Sequence, residues 1–417
     1  MHETLLIDVL IVLGSSIPVA LLLKKIHIPV IVGFLVTGAL IGHNGIGLIA
    51  SPEQVSAVAE LGLAFLLFAV GLEFSFANFT ALRSRAIVIA LAQITITFLC
   101  GWFLARALGW TNNQSIYFGC ILSLSSSAIV LNLFYTHRMI DSLSGQLGTA
   151  ILVLQDIAFV PMVVLLPLIN YQQLAVGSFS EALFTQGRAL LILSVLFVAG
   201  RFIIERLLKF VLVVGKREIF VITVVVIGLG FTWLAARLGL SFALGAFLGG
   251  LLIGLTDFKY QALSEISLFR FCFNSLFFVS IGMLLNVHYI AANVSMVALL
   301  VVLIPLIKIF VIVLLITLAR LPLRIGLVTV LALAQIGEFS FLIVNDGYRL
   351  NIMSTSLHDL IVASAVFTMM LTPFLIQHSH RIADAVDRVI KKVKKNSTAS
   401  SEFAKAHPTR NKHVVIC

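Results

Sequence analysis

Charge is scarce in this chain. Of its 417 residues only 11% are Asp, Glu, Lys or Arg, against 60% apolar, and the mean hydropathy is +1.12. A soluble fold of this length cannot cover itself with so little polarity, so water-soluble enzymes and binding modules are excluded in favour of a polytopic membrane protein. Cysteine is nearly missing too. Cys100, Cys120, Cys272 and Cys417 form no CxxC pair, so neither a disulfide framework nor a zinc site is expected. The histidines are scattered; His378 and His380, at the predicted end of the last span, read as solvated. No GxGxxG nucleotide loop occurs. No basic segment precedes the first apolar run (Met1, His2, Glu3), so a cleaved signal peptide is not expected. Alternating segments of about ten residues, the mark of a membrane β-barrel, are also missing.

What the chain has instead is long continuous apolar runs, which in a membrane must be helices. Thirteen spans are predicted, near 4–23, 27–43, 55–74, 86–108, 115–135, 148–169, 188–210, 218–236, 239–255, 268–287, 295–318, 324–345 and 357–377. Basic residues crowd the odd-numbered connections, among them Lys24, Lys25, Arg83, Arg85, Arg138, Arg201, Arg320 and Arg324. The even-numbered ones hold Arg106, Arg188, Arg237 and Arg349. The positive-inside rule then places the N-terminus outside and the C-terminus in the cytoplasm, which requires an odd number of spans. The net charge of +10 follows from this topology and calls for no nucleic-acid partner.

A glycine pattern repeats at a constant offset. Gly33, Gly38 and Gly42 in span two match Gly245, Gly250 and Gly254 in span nine, each 212 residues on. LLFAVGLEF in span three likewise matches LFFVSIGMLL in span ten, pairing Gly71 with Gly282. Seven intervening crossings invert the second copy relative to the first. The predicted fold is therefore all-α, with two inverted six-helix repeats (about 1–170 and 211–380) joined by a linker helix at 188–210.

Polar interruptions fall at matching places. Span five carries Ser123, Ser125, Ser126 and Ser127, and the offset takes Ser125 to Gly337, inside AQIGEF of span twelve. A matched pair of broken helices exposes backbone carbonyls and amides at mid-membrane, where they can replace an ion's hydration shell. Span six then holds Asp156, preceded by Gln155 and followed by Pro161 and Pro167. A carboxylate at that depth costs roughly 2.5–3.5 kcal/mol on insertion scales, so Asp156 is the candidate group that exchanges a proton for another charged species. Lys308 and Glu338 are read as supporting charges in the broken-helix core. Asp8 and Glu60 are read as interfacial and structural, and Glu73 as pairing with Arg83 or Arg85 at the membrane edge.

The runs SLSSSAIV (123–130), LVLQDIAFVP (152–161), FFVSIGMLLN (277–286) and AQIGEFSF (334–341) resemble those of the monovalent cation:proton antiporter-2 family, especially its Kef-type potassium efflux branch. The resemblance spans nearly the whole chain. It implies crossed discontinuous spans five and twelve, a core domain and a dimerisation domain, with Asp156 as the cation and proton carboxylate. Gln155 stands where electrogenic relatives have an acid or Asn, and Ser125, Ser126 and Ser127 match the polar break. The segment TDFKYQALSEI (256–266) departs from the histidine- and acid-rich loop of the glutathione-gated members.

After the membrane domain (1–380), residues 382–395 read as a basic amphipathic helix and 396–412 as a polar linker. Residues 413–417 resemble the first strand of the Rossmann-like regulatory domain that follows in relatives. The chain reads as cut just after that strand, so a nucleotide would bind only the missing domain and no cofactor is expected in this chain. The reading that results is a homodimeric antiporter of the inner membrane, exchanging K⁺ for H⁺ across the lipid bilayer, with no enzymatic reaction. A Na⁺/H⁺ antiporter is the nearest rival. A ligand-gated K⁺ channel is a more distant one, since no TVGYG-like filter is present.

Overall fold

The computed structural model describes residues 2–25, 28, 30–43, 45–49, 52–73, 84–169, 179–214, 217–238 and 242–405. Among them are sixteen helices and no strand. In chain order these are α1 (His2–Lys25), α2 (Val30–Ile41), α3 (Pro52–Glu73), α4 (Ser84–Ala107), α5 (Asn112–Ser123), α6 (Ser127–Thr136), α7 (Leu143–Ile169) and α8 (Phe179–Val214). There follow α9 (Arg217–Arg237), α10 (Phe242–Gly254), α11 (Lys259–Met283), α12 (Val287–Ala292), α13 (Val294–Leu318), α14 (Leu323–Leu333), α15 (Phe339–Arg349) and α16 (Thr355–Lys405). Every predicted span falls on one of these. Spans five and twelve are each split, into α5 and α6 and into α14 and α15, and α12 is a short connector. Among the described residues seven helical stretches, one of them α5 and α6 together, are long and apolar enough to cross a membrane by length and composition, while α2, α14 and most of α10 form shorter apolar helices.

Local signals explain several boundaries. Thr111 and Gln114 form a capping box at the start of α5: the Thr111 hydroxyl accepts the Gln114 N–H at 3.4 Å, and the Gln114 carbonyl accepts the Thr111 N–H at 3.0 Å. Asn286 caps α12 by accepting the Tyr289 N–H at 3.0 Å. No glycine or proline lies between Pro373 and Lys405, and α16 accordingly runs on without interruption. This corrects two expectations. His378 is not at a helix end but inside α16, exposed, with its ring Nδ1 2.9 Å from the Phe374 carbonyl. The amphipathic segment after 382 is likewise not a separate helix but continues the last span. An ion pair of 3.2 Å between Arg324 and Asp384 ties that extension to the start of α14. Residues 406–417, where the strand was expected, lie outside the described residues.

The helices pack as two bodies. One, the panel, comprises α1, α2, α3, α9, α10 and α11; the other, the core, comprises α4 to α7 and α13 to α16. The long helix α8 lies against α9 and α10 and touches α7. Bridges between the bodies are sparse: α7 meets α10, and α16 meets α2. These two bridges exchange when the repeats are exchanged.

The repeat is visible in the backbone itself. In the panel, a methyl on Gly38 of α2 would strike the Val279 carbonyl and Gly282 of α11. One on Gly250 of α10 would strike the Phe68 carbonyl of α3. Gly282 meets the Leu35 carbonyl, and Gly71 meets the Phe247 carbonyl. Each contact is the other's image at the sequence offset, and only a residue without Cβ permits either. In the core, four helices end with a residue in the left-handed region: Gly109 after α4, Arg138 after α6, Arg320 after α13 and Asn351 after α15. All four make the same closing bond, from Trp110 N to Ala105 O, Met139 N to Phe134 O, Leu321 N to Ile316 O and Ile352 N to Gly347 O. This is the Schellman arrangement, appearing at matched positions of both repeats.

Asp8 is buried (1% exposed), in keeping with its reading as a structural residue. The side chains of Glu60 and Glu73 lie outside the described residues, and with them the proposed edge pair.

Candidate ion-binding site at the crossed helices

The two breaks meet. Leu124 to Ser126 separate α5 from α6, and Ala334 to Glu338 separate α14 from α15. The Gly337 N–H donates to the Leu124 carbonyl at 3.2 Å. A Cβ on Gly337 would lie 2.6 Å from the Ser125 carbonyl, so this approach requires glycine. The Ser340 hydroxyl donates to the Ile121 carbonyl at 2.9 Å, tying α15 to α5. Four helix ends therefore converge in a buried volume, two presenting carbonyls (α5, α14) and two presenting amides (α6, α15).

Two ionisable side chains answer them. Lys308, on α13 and fully buried, donates to the Leu124 carbonyl at 2.6 Å, the Gln335 carbonyl at 2.5 Å and the Ser125 hydroxyl at 2.9 Å. Its three donors thus hold the carbonyl ends of both interrupted helices. Glu338 faces the amide end of α6: its Oε1 accepts the Ala128 N–H and the Ser127 hydroxyl, both at 3.3 Å. A cation on the carbonyl ends and an acid on an amide end match the helix dipoles. The sequence assigned both residues to this region, and the structure brings them there.

The serines hold the crossing together. The Ser125 hydroxyl donates to the Leu333 carbonyl at 2.9 Å, and Ser126 caps α6 by accepting the Ile129 N–H at 3.2 Å. Gln155 is equally committed. Its carbonyl accepts the Ser125 N–H at 2.8 Å, and its amide donates to Gln93 Oε1 at 2.8 Å. In the second repeat the Thr368 hydroxyl does the corresponding work, accepting the Ile336 N–H at 3.3 Å. Gln93 was missed by sequence reasoning. It is buried on α4 and donates towards Thr97 Oγ1 at 3.1 Å and the Ser123 carbonyl at 3.4 Å. The available signal was a lone amide followed four residues later by a threonine in an otherwise apolar span.

Asp156 sits one position beyond Gln155 and points elsewhere. Successive helical residues are about 100° apart, whereas residues four apart share a face. On α7 the residues four and eight beyond Asp156 are Val160 and Val164, which pack against Ala235 and Leu244 of the panel. The Asp156 stripe is therefore the one that faces the panel, and the carboxylate is only half-buried. Gln155 grips the crossing while Asp156 stands at the boundary between the two bodies. Phe159 stacks on Phe339 with ring centroids 4.8 Å apart, fixing α7 against the start of α15. No group of three or more His, Cys, Asp or Glu that could hold a metal ion is found among the described residues.

Inverted repeats and crossed interrupted helices with a carboxylate beside them make up an architecture that secondary transporters use. Residues 9–378 match the family model described as sodium/hydrogen exchanger, transmembrane, and the chain belongs to that family. It is 33% identical over 356 residues to the K(+) efflux antiporter 6 of Arabidopsis thaliana, covering 83% of this chain and 58% of that protein. Against the putative K(+) efflux antiporter KefB of Alkalimonas amylolytica the identity is 31% over 382 residues, covering 91% and 57%. The chain thus spans less than two thirds of these relatives. The solved sodium proton antiporter MjNhaP1 of Methanocaldococcus jannaschii shares the fold, with a TM-score of 0.69 at 18% identity over 92% of this chain and 98% of that one.

Proposed function

We propose that this membrane domain exchanges a monovalent cation, K⁺ by preference, for H⁺, one for one. The observation that carries the reading is the placement of Asp156: half-buried, on the α7 stripe facing the panel, next to the residue that anchors the α5–α6 break. One carboxylate offers one negative charge, which a proton or a partly dehydrated cation can neutralise, but not both together. That competition is the coupling. Gln155 cannot titrate and its amide is already bonded, which supports electroneutral exchange.

Alternating access is supported by the sparse bridges between core and panel, which leave the core free to shift as a rigid body. The same reading places the chain in the inner membrane with its N-terminus outside, and pairs it as a homodimer through the panel. K⁺ preference rests on the relatives named as K(+) efflux antiporters. Na⁺ is the second reading, favoured by the family description. Proton flux in proteoliposomes across K⁺, Na⁺, Rb⁺ and Li⁺ gradients decides between them. The expected result is a K⁺-driven flux unaffected by an imposed membrane potential. A larger Na⁺ flux moves the reading to Na⁺/H⁺ exchange, and cation movement without counter-moving protons would indicate a channel.

A further inference from the structure

A cavity of about 400 Å³ opens between the panel and the core at the basic end of the bundle. Lys24, at the end of α1, lines it from the panel. Asn132, Thr136 and His137 line it from α6, and Gln377 from α16. No acidic side chain lines it among the described residues. Among the described residues Lys24 makes no ion pair either. A primary amine, an imidazole and two amides line it without a carboxylate, the chemistry that receives an anion.

The surroundings favour an amphiphile over a free anion. Directly before Lys24, Leu21 and Leu22 are 64% and 66% exposed; Tyr135 beside Thr136 is 66% exposed, and Phe374 on α16 is 47% exposed. Within the cavity Ile28, Val30, Leu133 and Pro373 add an apolar lining beside the polar groups. Basic pockets between transmembrane helices suit lipid phosphates.

We propose that this cavity binds the phosphate headgroup of an anionic phospholipid, and that the bound lipid sets the transport rate. The mechanism is differential contact. The headgroup touches Lys24 on the panel together with His137 and Gln377 on the core, so it holds best in one relative position of the two bodies and biases the equilibrium between them.

The test uses the full chain reconstituted in vesicles of neutral phosphatidylcholine, with and without phosphatidylglycerol, and native mass spectrometry to count retained lipid. Wild type should retain phosphatidylglycerol and change its flux as the anionic fraction rises. Lys24→Gln should shift that dependence to about fivefold more anionic lipid, the effect of one basic residue near such a surface, and adding His137→Gln should shift it further. Lys24→Arg should restore it, which excludes misfolding as the cause. Lys25→Gln, which removes an equal charge one residue away and outside the cavity lining, should behave as wild type. An equal effect of Lys25→Gln would reduce the result to general surface charge and overturn the proposal. So would an unchanged dependence in the Lys24→Gln and His137→Gln double variant. If inorganic phosphate added to neutral vesicles reproduced the flux change, the ligand would be a free anion and the lipid assignment would fall.

Discussion

The side-chain carbonyl of Gln155 accepts the backbone N–H of Ser125 at 2.8 Å, so the helix that bears Asp156 is bolted to the break in the helix before it. Gln155 also holds Gln93, which reaches towards the Ser123 carbonyl, and the three residues form a chain from α7 through α4 to the end of α5. The residue expected to help bind the ion is thus occupied in positioning the break, and the carboxylate beside it is left to face the panel.

Replacing Gln155 with Leu should therefore act on the scaffold. It leaves the Ser125 N–H and one Gln93 oxygen buried without this partner, at a cost of about 1–3 kcal/mol per group. Thermal unfolding in detergent should show the loss, and maximal turnover should fall while the order of preference among cations stays the same. A changed cation order with unaltered stability would instead make Gln155 an ion ligand.

Asp156→Asn should give the opposite pattern. Cation-driven proton movement should vanish, while insertion and folding persist because the amide is nearly isosteric at a half-buried position. Flux in proteoliposomes together with the unfolding midpoint of the same preparation checks both halves. Exchange above a protein-free control would remove Asp156 as the carrier.

Lys308→Met should be among the most damaging single changes in the core. It removes one donor from each of three acceptors, two of them carbonyls at interrupted helix ends. Hydrogen bonds from charged groups contribute about 1.5–3 kcal/mol each, so a loss of several kcal/mol is expected even after relaxation. The protein should unfold at markedly lower temperature than the Asp156→Asn variant. Stability equal to that variant would mean that the crossing does not depend on this lysine.

Gly337→Ala places a methyl 2.6 Å from a backbone carbonyl carbon and oxygen that cannot rotate away. Overpacking of this kind costs about 1–3 kcal/mol. Reduced stability is expected together with reduced flux, because the two breaks must separate to admit the methyl. Full activity would show that the crossing is looser than its bonds imply.

Much of this was legible because membrane spans speak plainly: each of the thirteen predicted runs falls on helix, and serines and an IGEF run in apolar stretches marked the interruptions. The offset of 212 even paired Ser125 with Gly337, which the structure places in contact. What could not be read was direction. Gln155 and Asp156 are adjacent letters, and only the packing of α7 shows that one faces the crossing and the other the panel. Gln93 escaped because a single amide in a span carries no motif. The extent of α16 was misread because amphipathic character after residue 382 looked like a new element, although no helix breaker separates it from the span.

The glycine contacts of the panel carry one more consequence, for synthesis. Gly38 meets Gly282, and Gly71 meets the Phe247 carbonyl; in both, a surface of the first repeat is completed by the second. When the first three spans leave the ribosome, their close-packing faces have nothing to close on until spans nine and ten arrive some two hundred residues later. The early half must wait in the lipid with those faces bare, and the panel can be finished only once residue 283 has been made. A nascent chain stopped before residue 242 should thus be open to intramembrane cross-linking from photoreactive residues at Leu35 and Phe68, whose carbonyls meet Gly282 and Gly250, and one extended past residue 283 should be protected.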